Sequence, residues 1–576
     1  MKQKLILIGM IVLYVAIVFG ICIFKYTNNF YNLTDLAIFY QAFDSLTQGE
    51  LLTVPIQGNM YWADHFSLMF FIFLPIFYIW QSPLLLLFIQ TLFIALAAWP
   101  LYLIAKRYLS KWKSFLIIAI YLFNPFIISI NLFEFHWLSF SFFFVFWMFY
   151  FYKKEKWSGF YVFLFLCFFI REDMSLFMLG FAAFMLFEKT KDQTFKKAIK
   201  NSKILFVLLI SIVWFAGSWI IIKYFNQDSN KFLIYFSWIS DWKLAFKHWF
   251  SLGQLELILQ IFIPFIFLPL FKARYLLIGL IYYLMVAAAY GQPIAGFHYG
   301  VLLMIPMYLA TIFILHDWNN KKFKKVPFEI YRKLAPVLLI LAMLYLNVFF
   351  GPWRISDYKN ENKNLQDYFV ERIESGSKVI SPASLFLKLV KKSEVYSLGW
   401  TFWGHKQFLD QKYEVGAVDY ILIDLDEFLT YELQKDQRLF YKTNYLSGTD
   451  NIRKVIRENN LRLVENWGNY ILFGKEPFEI AFNPENKNYK KLHLNQYFTD
   501  WQDKVYLIKY YKNDEIIKEQ YVKPFFEIIN VAVEDFDKIS LNEAKVRGFL
   551  NSNHLGVAFN DIIKVEGIGK EIFIVN

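Results

Sequence analysis

The sequence predicts a polytopic α-helical membrane protein with about eleven transmembrane helices, followed by an extracytoplasmic C-terminal part that is first α/β and then β-rich. Three observations carry this reading. Of 576 residues, 57% are hydrophobic and only 19% are charged, a balance shown by neither soluble globular chains nor disordered ones. Long uncharged runs fill positions 5–350, and the remainder has the composition of ordinary soluble protein. The net charge of +12 divides at the same place: residues 1–351 carry 29 Lys+Arg and 15 Asp+Glu, whereas residues 352–576 carry 31 and 33. The positive excess therefore belongs to membrane loops. No basic patch with interleaved aromatics occurs in the soluble part, so no nucleic acid partner is expected.

The chain opens Met1-Lys2-Gln3-Lys4 and then runs apolar to about Phe24. It lacks a small-residue cleavage site and reads as an uncleaved first helix. Later spans are expected at roughly 83–105, 114–131, 137–152, 157–170, 174–187, 204–222, 256–271, 275–290, 299–315 and 334–350. Several fall short of the ~20 residues needed to cross a bilayer, so flanking polar residues or local thinning must make up the length. Residues 66–80 decide the parity. Placed in the interface, they leave 23 Lys+Arg in cytoplasmic loops and six in outer loops. Counted as a crossing, they reverse every later loop, against the positive-inside rule. The N-terminus is thus expected in the cytoplasm, with a first outer loop at 25–82 and the C-terminal part outside. His248, with Trp238, Trp242 and Trp249 nearby, reads as part of an amphipathic interfacial helix.

Residues 1–351 form the expected transmembrane domain. From 352 to 475, Lys378–Pro382, Val418–Ile423 and Leu461–Leu472 alternate with amphipathic or charged stretches, the rhythm of a small α/β domain. From 476 to 576, Val505–Tyr511, Ile516–Val522 and Phe525–Val533 read as strands of a β-rich domain. There is no Walker loop, GxGxxG motif, internal repeat or low-complexity tract. Cys22 and Cys167 lie inside apolar runs and read as packing residues. Heavy use of Phe, Ile, Lys and Asn points to an AT-rich bacterial genome, and a bacterial plasma membrane is the expected location.

Under this topology the polar clusters converge on the outer face: Asp35, Asp64-His65, Glu134-Phe135-His136, Arg171-Glu172-Asp173 and His298-Tyr299. Ionisable residues gathered at one membrane surface suggest a site. Each has a structural alternative. Asp35 could cap a helix, Asp64 and His65 could close a loop, and Glu134 and His136 could simply meet water. The three charges at 171–173 could pair with one another, and His298 could be a lone loop histidine. Asp64, His65, Glu134, His136 and His298 could instead ligate a divalent metal ion, although none has i, i+4 helical spacing. The middle and inner parts of the spans carry almost no ionisable residues, which favours surface chemistry over transport.

Asp35-Leu-Ala-Ile-Phe39 with Gln41, Asp64-His65-Phe66-Ser67, Asn124-Pro125, Phe133-Glu-Phe-His136 and Glu172-Asp173 resemble the bacterial membrane proteins grouped as domain of unknown function 2079. His298-Tyr299 and Val418-Asp-Tyr-Ile-Leu422 fit its later part, so the resemblance covers about residues 30–470. Glu134 stands where the family is expected to have Asp, and Tyr40 where it often has an acid. That family is similar to the GT-C superfamily of integral-membrane glycosyltransferases. The resemblance implies a GT-C-like transmembrane domain with interfacial helices in its first outer loop. It also implies an outward-facing site, a catalytic acid in that loop and a polyprenyl-phosphate-linked sugar donor. The acceptor would be a cell-envelope glycan, lipid or protein. Asp35 would be the general base, with Arg171 and His298 meeting the lipid phosphate. Asp64, His65, Glu134, His136, Glu172, Asp173 and Tyr299 would bind substrate, or some of them a metal. A transporter of lipid-linked sugar or envelope precursor, and a non-enzymatic envelope assembly protein, remain open alternatives.

Overall fold

The computed structural model describes residues 2–31, 34–226, 241–289, 295–319, 327–406, 411–434, 448–467, 469–475, 489–493, 505–522, 528–532, 536–546, 565–567 and 572–575. Trp238, Lys231, loop residues 321–325 and parts of the expected strand 525–533 lie outside these. Two compact units emerge: residues 1–54 with 59–361, and residues 55–58 with 362–576.

The first unit is helical. Its main helices are α1 (Lys2–Thr27), α2 (Asp35–Thr47), α3 (Met69–Ile79), α4 (Pro83–Leu96), α5 (Ala98–Tyr108), α6 (Lys111–Leu122), α7 (Pro125–Leu132), α8 (Ser141–Lys153), α9 (Trp157–Ile170) and α10 (Met174–Lys189). They continue as α11 (Ser202–Asn226), α12 (Trp242–Trp249), α13 (Leu252–Phe262), α14 (Leu277–Ala289), α15 (Val301–Asn319) and α16 (Pro327–Phe350). Among the described residues, five helices are long and apolar enough to cross a membrane, or seven if two bent helix pairs each count as one span. The protein is thus a polytopic helical membrane protein, with fewer full-length spans than the eleven expected. The shortfall has physical causes. Helices α8, α9 and α10 have 13, 14 and 16 residues, about 20–24 Å at 1.5 Å per residue, against a hydrocarbon core of about 30 Å.

The expected span 114–131 bends by 41° between α6 and α7. There Asn124 caps α7, with Phe126 N donating to its Oδ1 at 3.0 Å, and Pro125 occupies the first helical position. The expected span 256–271 bends by 104°, because Ile266 and Phe267 adopt left-handed backbone conformations, φ 46° and 59°. Helix α3 covers only 11 residues. It buries Met69, Phe70, Phe73 and Phe77 and exposes Phe71, Ile72, Ile76 and Ile79. The buried face meets α2 and residues 135–140: Phe43 stacks on Phe77 at 4.8 Å, and Phe73 on Trp137 at 5.5 Å. This aromatic core fixes α2 against the segment that carries Glu134 and His136.

Two short strands of the first unit, β1 (Thr53–Val54) and β2 (Asn59–Met60), pair antiparallel. In the second unit, β3 (Lys378–Ser381), β4 (Glu394–Ser397), β5 (Tyr420–Asp424), β6 (Arg462–Trp467) and β7 (Tyr470–Gly474) form a sheet in the order β4-β3-β5-β7-β6. β3 is parallel to β4 and β5, while β7 is antiparallel to β5 and β6. The central strands β5 and β7 read Tyr-Ile-Leu-Ile-Asp and Tyr-Ile-Leu-Phe-Gly and are buried throughout, as apolar runs covered on both faces should be. Ile421, Ile423, Ile471 and Phe473 pack with Phe402, Phe428 and Ile452. Further strands are antiparallel. They include β8 (Tyr489–His493), and β9 (Val505–Lys512) and β10 (Glu515–Val522), the last two joined through Asn513 and Asp514, both at positive φ, the two-residue hairpin turn that matches strand twist. The expected run Leu461–Leu472 holds two antiparallel strands, β6 and the start of β7.

Candidate active site

The start of α2 assigns the first roles. Its preceding residue, Thr34, gives no side-chain cap, so the first N–H groups of the helix need an acceptor from elsewhere. Glu134 supplies one: Leu36 N donates to Glu134 Oε2 at 2.7 Å. A carboxylate at a helix N-terminus also complements the macrodipole. The capping role considered for Asp35 therefore falls to Glu134, which is buried. The Asp35 carboxylate keeps 31% of its surface, and its Oδ2 lies 3.1 Å from His136 Nε2. That contact lacks hydrogen-bond alignment, leaving His136 Nε2 without a hydrogen-bond partner.

His136 stacks on His298 with ring centroids 3.6 Å apart and planes inclined by 22°. His298 begins the 3-10 turn His298–Gly300 that leads into α15. It is buried, and its Nδ1 has no hydrogen-bond partner. Asp35, His136 and His298, from three distant parts of the chain, thus form one cluster.

Gln90, absent from the sequence-derived candidates, holds this cluster in register. It is fully buried on α4. Its Nε2 donates to Asn131 O at 3.2 Å and Glu134 O at 2.8 Å. Its Oε1 accepts from His136 N at 2.7 Å and Ser139 Oγ at 3.1 Å. Every donor and acceptor of the amide is thereby used. The amide of Gln90 inside Leu84–Leu96, where Thr91 is the one other polar residue, was the available signal, since a polar side chain within a span needs partners. Lys25 was also missed, being counted only as a loop charge. It is buried, donates to Leu132 O at 2.5 Å and lies 4.5 Å from the Tyr31 ring.

The remaining candidates form a second group. His65 Nδ1 is 2.7 Å from Glu172 Oε1, and Phe66 N donates to Glu172 Oε2 at 3.0 Å. Asp64 Oδ1 lies 3.9 Å from His65 Nε2. Arg171 pairs with Asp173 inside their own turn and sits 5.4 Å from the Tyr299 ring. Burial pushes the Glu172 and Asp173 carboxyls up from their ordinary range, with Arg171 opposing it in both. Burial and the Arg171 charge hold the His65 imidazole down to about 3. A neutral ring then donates from Nδ1 to Glu172 and keeps its lone pair on Nε2. His65, Arg171, Glu172, Asp173 and Tyr299 line a small cavity of about 20 Å³, space for about one water, together with apolar side chains that include Phe215, Trp219, Met285 and Val286.

Among the described residues, no group of three or more His, Cys, Asp or Glu is arranged to hold a metal ion. His248 stands apart from both groups, its Nδ1 2.7 Å from Ala288 O. A family model described as Predicted membrane protein (DUF2079) matches residues 25–467. No curated protein matches the chain.

Proposed function

The chain belongs to the DUF2079 family of predicted membrane proteins, and from that premise we propose that it is a membrane glycosyltransferase, moving a sugar from a polyprenyl-phosphate-linked donor to a cell-envelope acceptor. In this reading the chain lies in a bacterial plasma membrane with eleven passages, the shorter helices included. The Asp35 cluster and the C-terminal part face outward.

One observation carries the proposal. At the start of α2 the capping role is taken by Glu134, which leaves the Asp35 carboxylate partly exposed beside a buried pair of stacked imidazoles. A carboxylate kept from structural duty and still partly exposed is suited to general base catalysis. Asp35 takes the proton from an acceptor hydroxyl as that oxygen attacks the anomeric carbon. The bond from that carbon to the phosphate oxygen breaks, and its electron pair leaves with the polyprenyl phosphate. His136 stands 3.1 Å from the Asp35 carboxylate and bounds the site on that side. His298, with an unused buried ring nitrogen, is placed to hydrogen-bond the departing phosphate. Arg171, occupied by Asp173, is less suited to that task than its charge alone suggests.

The test is sugar transfer by purified protein in nanodiscs, using a panel of polyprenyl-phosphate sugars. Asp35→Asn should lower turnover by about 10²–10⁴-fold, with thermal stability and donor binding near wild type. A near-normal rate in that variant removes Asp35 from the role. A donor left intact by the wild type removes the transferase reading itself.

A further inference from the structure

The ends of α8 and α10 away from the Asp35 cluster carry a second set of charges, and its balance is positive. α8 begins shortly after His136 and ends at Lys153, while α10 begins directly after Asp173 and ends at Lys189. Lys153 Nζ and Glu188 Oε2 pair at 2.6 Å, and the Tyr152 hydroxyl donates to the same oxygen at 3.2 Å. Two guanidiniums lie within electrostatic range of Lys153: Arg107, exposed in the last turn of α5, and half-buried Arg274. Exposed Glu155 acts on Tyr152, and Asp317 pairs with Lys272. Lys153 and Arg107 complement the carbonyl ends of α8 and α5. Arg274 differs, because it stands three residues before the start of α14, where the free N–H groups already form the positive end of a helix. Its Nε is buried without a hydrogen-bond partner, and so is the hydroxyl of the adjacent, fully buried Tyr275. Arg274 Cζ lies 5.1 Å from the Tyr275 ring, and Lys153 Nζ lies 5.9 Å from it. Two cations, two buried donors and a helix N-terminus thus meet in one place, and an anion stabilises each of them.

Depth selects the anion. With 13 and 16 residues, α8 and α10 hold this cluster about 20–24 Å from the opposite face, against a hydrocarbon core of about 30 Å. The bilayer must thin around such short helices, which draws headgroup phosphates down to the level of Lys153 and Arg274. A guanidinium matches the oxygens of a phosphate, and basic side chains gathered between spanning helices are the kind of surface on which anionic headgroups dock. We propose that Lys153, Arg107 and Arg274 bind the phosphodiester of an anionic lipid, on the membrane face opposite the Asp35 cluster. This site is independent of the transferase reading.

The experiment measures binding of a fluorescent phosphatidylglycerol to the full chain in non-ionic detergent, with unlabelled phosphatidylglycerol, phosphatidylcholine and inorganic phosphate as competitors. Unlabelled phosphatidylglycerol should displace the probe about tenfold more effectively than phosphatidylcholine, and millimolar inorganic phosphate should leave it bound. Arg274→Gln and Arg107→Gln should each weaken binding about fivefold. Lys196→Gln, which removes an exposed charge from the segment after α10, should keep the affinity within about twofold of wild type. Arg107 is exposed, so its variant tests the site even where Arg274→Gln lowers stability. Phosphatidylcholine that competes as well as phosphatidylglycerol overturns the proposal, as do unchanged affinities in both arginine variants or an equal loss in Lys196→Gln. Displacement by inorganic phosphate overturns the lipid as ligand and assigns the arginine-dependent site to a soluble phosphate.

Discussion

At the scale of single residues, roles follow from which groups are already occupied. Glu134 and Asp35 are both acids near the start of α2, yet only Glu134 accepts from its backbone, at 2.7 Å from Leu36 N. Glu134→Ala should therefore cost about 1–2 kcal/mol, the usual cost of losing a helix cap, whereas Asp35→Asn should leave the melting temperature within a degree or two. Differential scanning fluorimetry of the two variants separates these outcomes. Gln90→Leu removes four hydrogen bonds to buried groups. It should destabilise by several kcal/mol, since each buried polar group left unpaired costs about 1–3 kcal/mol. A Gln90→Leu protein of wild-type stability would mean that segment 131–139 is held by something else. The ionisable candidates were legible in the sequence because a charge at the end of an apolar run needs a reason. Gln90 and Lys25 were not, because their partners lie 41 and 107 positions away. Arg171 pairs with Asp173, as one of the two readings of that turn expected.

Among the elements, close contact and burial set the vulnerabilities. Helices α10 and α14 approach so closely at Gly180 that a Cβ there would lie 2.4 Å from Ile278 O. Backbone cannot give way as a flexible side chain does, so Gly180→Val should force the helices apart and lower the melting temperature by many degrees. A variant that melts with the wild type would contradict this packing. In the α/β sheet, burial pushes Asp424 up to about 6, with Asp426 adding to it, and Glu427 up to about 7, with Asp424 adding to it. Both acids hold their protons more tightly folded than unfolded, where the ordinary values are 3.8 and 4.5. Their contribution is thus fully present below about pH 4 and is lost as pH rises through about 6 to 7. Hydrogen-exchange protection factors, corrected for the intrinsic pH dependence of exchange, should rise in residues 378–384 and 420–427 on acidification from pH 7.5 to 5, and Glu427→Gln should flatten that rise. Lower protection factors at pH 5 would reverse the sign. Strands β5 and β9 were readable from β-branched and aromatic runs. The bend at Asn124-Pro125 carried a cap-and-proline signal, whereas that at Ile266-Phe267 carried none, since apolar residues rarely take left-handed conformations.

For the whole molecule, hydropathy and charge made a polytopic membrane protein legible, and the family match agrees. The number of passages was not legible, because an apolar run reports burial without reporting whether its helix is long enough to cross. The proposed orientation makes a direct prediction. On intact cells an impermeant maleimide should label a cysteine introduced at exposed Ser356, and should label one at Lys2 only after permeabilisation. The reverse pattern would place the Asp35 cluster on the cytoplasmic side and remove an envelope acceptor. The central claim is that Asp35, His136 and His298 form the place where a lipid phosphate departs. A structure of the full chain in nanodiscs with polyprenyl phosphate added tests it most directly. Phosphate oxygens should lie within hydrogen-bonding distance of His298 Nδ1, with the Asp35 carboxylate facing the same space. Phosphate seated instead among Arg171, Glu172 and Asp173, or bound away from both groups, would contradict it.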